Sequence, residues 1–89
     1  MAFAYILESQ KDGSYYIGSA STVSTRLEQH NAGVVRSTKA RRPWILRFAK
    51  KCDTVSEARK LEARLKSWKK RAAIENFMNR ESSMVKVGP

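Results

Sequence analysis

The stretch AFAYILESQKDGSYYIG, residues 2–18, decides the fold. Ala2 to Leu7 is apolar and carries Phe, Tyr and Ile, the composition of a strand. Lys11-Asp12-Gly13 reads as a turn, because Asp-Gly is a strong hairpin signal. Ser14 to Gly18 reads as the return strand. With Asp12-Gly13 as a two-residue loop, Tyr16 faces Ser9. Side chains alternate along a strand, so Tyr5 lies on that same side. The reading therefore puts both tyrosines on one face of the sheet.

Beyond the hairpin, Ser21 or Thr22 can cap a helix that runs to about Asn31 and stops at Gly33. Val23 and Leu27 are an i, i+4 apolar pair facing the sheet, and Arg26 and His30 form a polar pair at the same spacing. Val34 to Arg42 reads as a basic loop ended by Pro43. Trp44 to Ala49 reads as a third strand with Trp44, Leu46 and Phe48 on one face. The main helix starts near Thr54, with Ser56 as its expected cap. Ala58, Leu61, Leu65, Trp68 and Ala72 follow helical spacing and make its buried stripe. At roughly 100° per residue, Glu62 sits about 80° from the centre of that stripe, on its edge. A further short helix is expected over Ala73 to Arg80. The order β-β-α-β-α-α predicts an α+β fold, a small three-stranded, mostly antiparallel sheet flanked by helices. The reading is of a single domain over 1–80 and a flexible tail over 81–89.

The formal charge is +10, from 18 Lys and Arg against 8 Asp and Glu in 89 residues. Such an excess repels itself unless a polyanion is near. Nucleic acid is the first candidate, since neutralised phosphates release counterions. Anionic membranes and ribosomal or histone-like packing share the charge signature. One cysteine, Cys52, excludes an intrachain disulfide and suits a reducing compartment. With His30 as the one histidine, a Cys/His zinc site is excluded. No apolar run reaches membrane-spanning length and no signal peptide opens the chain, so a soluble cytoplasmic protein is expected.

The ordered residues resemble the GIY-YIG nuclease superfamily, in particular its small stand-alone bacterial members. Phe3-Ala4-Tyr5 stands where that family has Gly-Ile-Tyr, and Tyr16-Ile17-Gly18 matches the second triplet. Arg26, His30-Asn31 and Gly33 match the helix pattern, and Thr38 with Pro43-Trp44 matches the loop and third strand. Glu57-Ala58, Glu62 and Leu65-Lys66-Ser67-Trp68 match the metal-binding helix. The match runs from about Ala2 to Lys70. Two departures stand out. Phe3 and Ala4 replace Gly and Ile, and the Asn that follows the metal-binding Glu in many members has only Asn76 or Asn79 as counterparts, neither at the expected spacing.

The resemblance implies a divalent-metal endonuclease giving 5′-phosphate and 3′-hydroxyl ends, with Tyr5, Tyr16, Arg26, His30 and Glu62 as its site. Chemistry agrees with the assignment. Glu62 can hold one Mg²⁺ or Mn²⁺, hard cations that often use one or two protein carboxylates. Arg26 can clamp phosphate oxygens. Tyr5, or with less support Tyr16, can accept the proton of the attacking water, helped by His30 or a lysine. Arg36, Lys39, Arg41, Arg42, Lys66, Lys69 and Lys70 are expected on nucleic-acid backbone, more readily DNA than RNA. With no room for a sequence-reading domain, the expectation is structure-directed or weakly specific cleavage, in repair or recombination, with a protein partner as one route to targeting. The alternative is a non-catalytic nucleic-acid-binding module on the same fold.

Overall fold

Ser9 sets the register of the first hairpin. A computed structural model describes residues 1–86, with 82–86 described by backbone alone. Strands β1 (Ala2–Ser9) and β2 (Tyr15–Ala20) pair antiparallel with Leu7 opposite Tyr16. The buried Ser9 hydroxyl accepts from the amides of Lys11 and Asp12 and donates to Arg41 O at 2.6 Å. Its own amide bonds Ser14 O at 2.8 Å, so the loop runs from Gln10 to Gly13, with Gly13 at φ 77°. The expected two-residue loop, and with it Tyr16 opposite Ser9, is thus corrected by two positions. An even shift preserves the face, and both tyrosines still share one side.

Strand β3 (Trp44–Cys52) pairs antiparallel with the other edge of β1, giving the order β2-β1-β3. A bulge lies between Ile6 and Leu7 of β1: Leu46 faces Leu7, but Phe48 faces Ile6. The extra residue, Arg47, turns the rest of β3 over. Trp44 therefore packs with Tyr5 and Leu7, while Phe48 packs on the opposite face against the Ile6 cluster. The single-face expectation for Trp44, Leu46 and Phe48 fails at that bulge. The sequence carries no Gly or Pro there to announce it.

Helix α1 (Val23–Ala32) ends at Gly33 in the left-handed region, φ 82°, as anticipated. Its Val23 and Leu27 cover the face bearing Tyr5, Leu7, Tyr16 and Trp44. Helix α2 (Val55–Ser67) is capped by Thr54, not Ser56: the Thr54 hydroxyl accepts from Glu57 N at 3.1 Å. Glu57 reaches back to accept from Asp53 N, one residue before the cap, at 3.3 Å. The buried stripe is shorter than expected. Trp68 terminates α2, and Ala72 lies exposed in helix α3 (Arg71–Lys86), whose Ile74, Phe77 and Met78 take over the packing. Burying side chains such as Leu65, Ile6 and Phe77 contributes roughly 1.5–3 kcal/mol each. The backbone of α3 reaches Lys86, inside the segment expected as a tail, and residues 87–89 lie outside those described. The result is three layers: α1, the antiparallel sheet, and α2 with α3.

Candidate active site

Tyr5 is 1% exposed and lies beside Gly18 of β2 in the sheet. A Cβ on Gly18 would stand 2.6 Å from the Tyr5 hydroxyl and 2.7 Å from Cζ. The missing side chain at Gly18 is therefore what lets the phenol cross β2 toward the outer edge of the sheet. Tyr16 lies alongside, its ring 6.4 Å from that of Tyr5, 4.8 Å from that of His30 and 6.2 Å from that of Trp44.

From α1, His30 comes fully buried beneath the two tyrosines. Its Nε2 lies 3.1 Å from the Tyr5 hydroxyl and its Nδ1 lies 2.8 Å from Thr38 Oγ1. Thr38 is also fully buried and donates its one hydroxyl proton to Val35 O at 3.3 Å. With the hydroxyl proton on Val35 O, the Thr38 oxygen accepts from Nδ1–H and Nε2 keeps a free lone pair. In that tautomer the Tyr5 phenol donates to His30. Burial pushes the Tyr5 phenol above its ordinary range, with Arg26 opposing and the charges of Tyr16 and Glu62 adding to it. Burial, and then the charge of Arg26, holds His30 below the usual histidine value. Both rings rest neutral, joined by one proton that can move.

Arg26 is half-buried one turn earlier on α1, donating to Gln29 Oε1 at 2.8 Å. It borders a cleft of about 340 Å³ lined also by Ser19, Ala20, Ser21, Thr22 and Thr25. Ser19 links that cleft to Glu62. Strand alternation turns Ser19 toward α2, and its hydroxyl donates to Glu62 Oε1 at 2.6 Å. Lys66, one turn on, bonds Glu62 Oε2 at 2.7 Å. Burial raises the Glu62 carboxyl, but Lys66 and Ser19 outweigh it and hold the group below the usual carboxylate range. The Lys66 ammonium in turn feels both Tyr16 and Tyr5. Tyr5, Tyr16 and His30 thus touch directly on the α1 face, with Arg26 beside them. Glu62 arrives from the other face, around the edge of β2.

Among the described residues no three His, Cys, Asp or Glu side chains gather as a metal cluster. Glu62 nonetheless fits a loosely held Mg²⁺ or Mn²⁺. Its side chain is 21% exposed, it is ionised, and one oxygen already holds the cationic Lys66.

The other expected residues scatter. Arg36, Lys39 and Arg42 line a second cleft near the end of α1. Arg41 does not join them: it is half-buried, bonds Ser14 Oγ and lies 5.7 Å over the Trp44 ring. Lys69 and Lys70 are exposed between α2 and α3. Asn76 and Asn79 line a separate hollow with Trp68, away from Glu62. Asn31 has a structural part, its side chain bonding both N and O of Trp44 and so fixing β3 against α1. Ser19, Gln29 and the bond from Thr38 to His30 have no counterpart in the sequence reading. Strand alternation alone would have pointed Ser19 at α2.

A family model described as the GIY-YIG catalytic domain matches residues 1–78. The chain belongs to the GIY-YIG family. That family is one of nucleases, so at its level the substrate is nucleic acid and the chemistry is strand cleavage. A UPF0213 protein of Streptococcus pneumoniae is 42% identical over 79 residues, covering 88% of this GIY-YIG chain and 78% of its own. A UPF0213 protein of Staphylococcus aureus is 37% identical over 79 residues, covering 88% and 95%. The solution NMR structure of a UPF0213 protein from Bacillus halodurans aligns with a TM-score of 0.55 at 30% identity, covering 100% of this chain and 89% of that one. No described helix is long and apolar enough to cross a membrane.

Proposed function

We propose that this GIY-YIG domain is a metal-dependent endonuclease that hydrolyses phosphodiester bonds, DNA in preference to RNA, to 5′-phosphate and 3′-hydroxyl ends. The observation that carries the reading is the directed chain from Thr38 through His30 to Tyr5, with Arg26 and Glu62 on either side. Arg26 holds the non-bridging oxygens of the scissile phosphate with its planar donors. Water attacks phosphorus, giving its proton to the Tyr5 oxygen while the phenolic proton passes to His30 Nε2. Thr38 keeps Nδ1 protonated and so keeps Nε2 free for that transfer. The bond from phosphorus to the 3′ oxygen breaks, the departing oxygen takes a proton from solvent to become the 3′-hydroxyl, and the phosphate stays on the 5′ side. Glu62 would hold the divalent ion, which when bound supplies positive charge at the departing oxygen. Tyr16 packs on His30 and fixes its plane. Phosphate contacts without base readout fit structure-directed or weakly specific cutting, a role suited to repair or recombination.

The test is incubation of the purified chain with single-stranded, nicked and branched DNA and with RNA, in Mg²⁺ or Mn²⁺. Cleavage to 5′-phosphate ends that disappears in Glu62→Gln and Tyr5→Phe is expected. No product on any substrate, or equal product from Glu62→Gln, would remove the enzyme.

A further inference from the structure

The second cleft, about 620 Å³, is built from separate parts of the chain: the hairpin tip gives Lys11, the end of α1 gives Asn31, and the loop before β3 gives Arg36, Lys39 and Arg42. Two of the four cations are held in place. Lys11 Nζ donates to Ala40 O at 3.2 Å, and Arg42 Nε donates to Lys39 O at 2.9 Å. The Arg42 guanidinium lies against Gly33, where a Cβ would come within 2.7 Å of it. No carboxylate lines the cleft, and among the described residues none of the four cations forms an ion pair. Complementing the end of α1 does not account for them. A helix C-terminus carries about half a negative charge, against four positive ones here.

We infer that this cleft is a second phosphate site, one that grips the backbone of the bound nucleic acid away from the bond being cut. The inference rests on the nuclease reading for its substrate class. Gly33 lies seven residues along the chain from Arg26. At about 1.5 Å per residue that is roughly 10 Å along α1. A span of that size covers about one to two neighbouring phosphates of a strand. One strand can therefore place a phosphate at Arg26 and another in the cleft. The site anchors without reading bases, because its lining offers charged donors and no aromatic face.

The experiment is fluorescence anisotropy of labelled 12-mer DNA and RNA with the full chain in chelator, so that no strand is cut, across a salt series. Lys39→Ala/Arg42→Ala is expected to weaken binding several-fold and to lower the salt slope by about one for each cation removed. Lys11→Ala, which removes one cation and its bond to Ala40 O, is expected to weaken it less. Lys51→Ala/Lys60→Ala changes net charge equally, on exposed residues outside the cleft, and should bind as the parent does. Equal losses in the two pairs, or none in the first with melting temperatures unchanged, would overturn the inference. So would retention on phosphatidylglycerol vesicles with no binding to oligonucleotide. Cleft-dependent binding without any cleavage would sink the nuclease reading and leave the phosphate site standing.

Discussion

Gly18→Ala is the sharpest structural perturbation available. The added methyl would meet Tyr5 Oη at 2.6 Å, Tyr5 Cζ at 2.7 Å and Tyr16 Cε2 at 3.2 Å. The first two are shorter than any ordinary carbon contact. Tyr5 is 1% exposed and tied to His30, so its ring has no free space to enter. Inserting a methylene into a filled core costs about 1–3 kcal/mol, and losing the bond from Tyr5 to His30 adds about 1 kcal/mol. A total near 3 kcal/mol lowers Tm by about 12–24 °C in a domain of this size. Thermal denaturation followed by circular dichroism measures it. Tyr5→Leu removes the ring, so Gly18→Ala in that background should be nearly neutral. A fall below about 4 °C in the parent background, the equivalent of about 1 kcal/mol, would refute the placement of Tyr5 across Gly18. So would an equal fall with Tyr5→Leu.

Three further outcomes follow from the same geometry. Thr38→Val leaves the His30 Nδ1–H buried without a partner, which costs about 1–3 kcal/mol. It should depress the cleavage rate and shift its pH profile, while Thr38→Ser restores both. Because His30 is held below its ordinary value, the unfolded chain takes up the proton first. The contribution of neutral His30 is thus complete above a pH of about 6.5 and is lost as pH falls below it. Denaturant midpoints measured from neutral pH downward should decline through that window, and His30→Gln should flatten the decline; parallel curves would contradict the assignment. Lys66→Met removes the cation on Glu62 Oε2. Mg²⁺ binding by calorimetry should tighten by up to about fivefold, the equivalent of about 1 kcal/mol for a partly exposed pair, and the Glu62 carboxyl should titrate higher. Weaker binding would place the ion elsewhere.

Much of this was legible because it depends on local periodicity. Asp12-Gly13 announced the hairpin, Gly33 ended α1, and the i, i+4 spacing put Arg26 and His30 on one side of it. The shared face of Tyr5 and Tyr16 survived a wrong register because the error was an even number of residues. Features made by distant contacts were not legible. The Ser9 hydroxyl reaching Arg41 O fixes the loop length, and the extra residue Arg47 moves Phe48 to the other layer. The break at Trp68 is equally silent: apolar spacing continues to Ala72, but α3 packs on the Ile6 cluster through its own Ile74 and Phe77. At the candidate site, Tyr5, Arg26, His30 and Glu62 came from the family pattern. Thr38 and Gly18 stood in that pattern too, but their contacts with His30 and Tyr5, and the Ser19 bond to Glu62, exist only in the packed fold.

The rate of DNA cleavage in a double-mutant cycle of Tyr5→Phe and Glu62→Gln, at saturating Mg²⁺, bears most closely on whether these residues serve one reaction. Each single change should lower the single-turnover rate by about 10²–10⁴, and the double variant should lose little more than the worse single, as groups acting as a unit do. Losses that multiply fully, or singles that cut as fast as the parent while remaining folded, would contradict a shared centre.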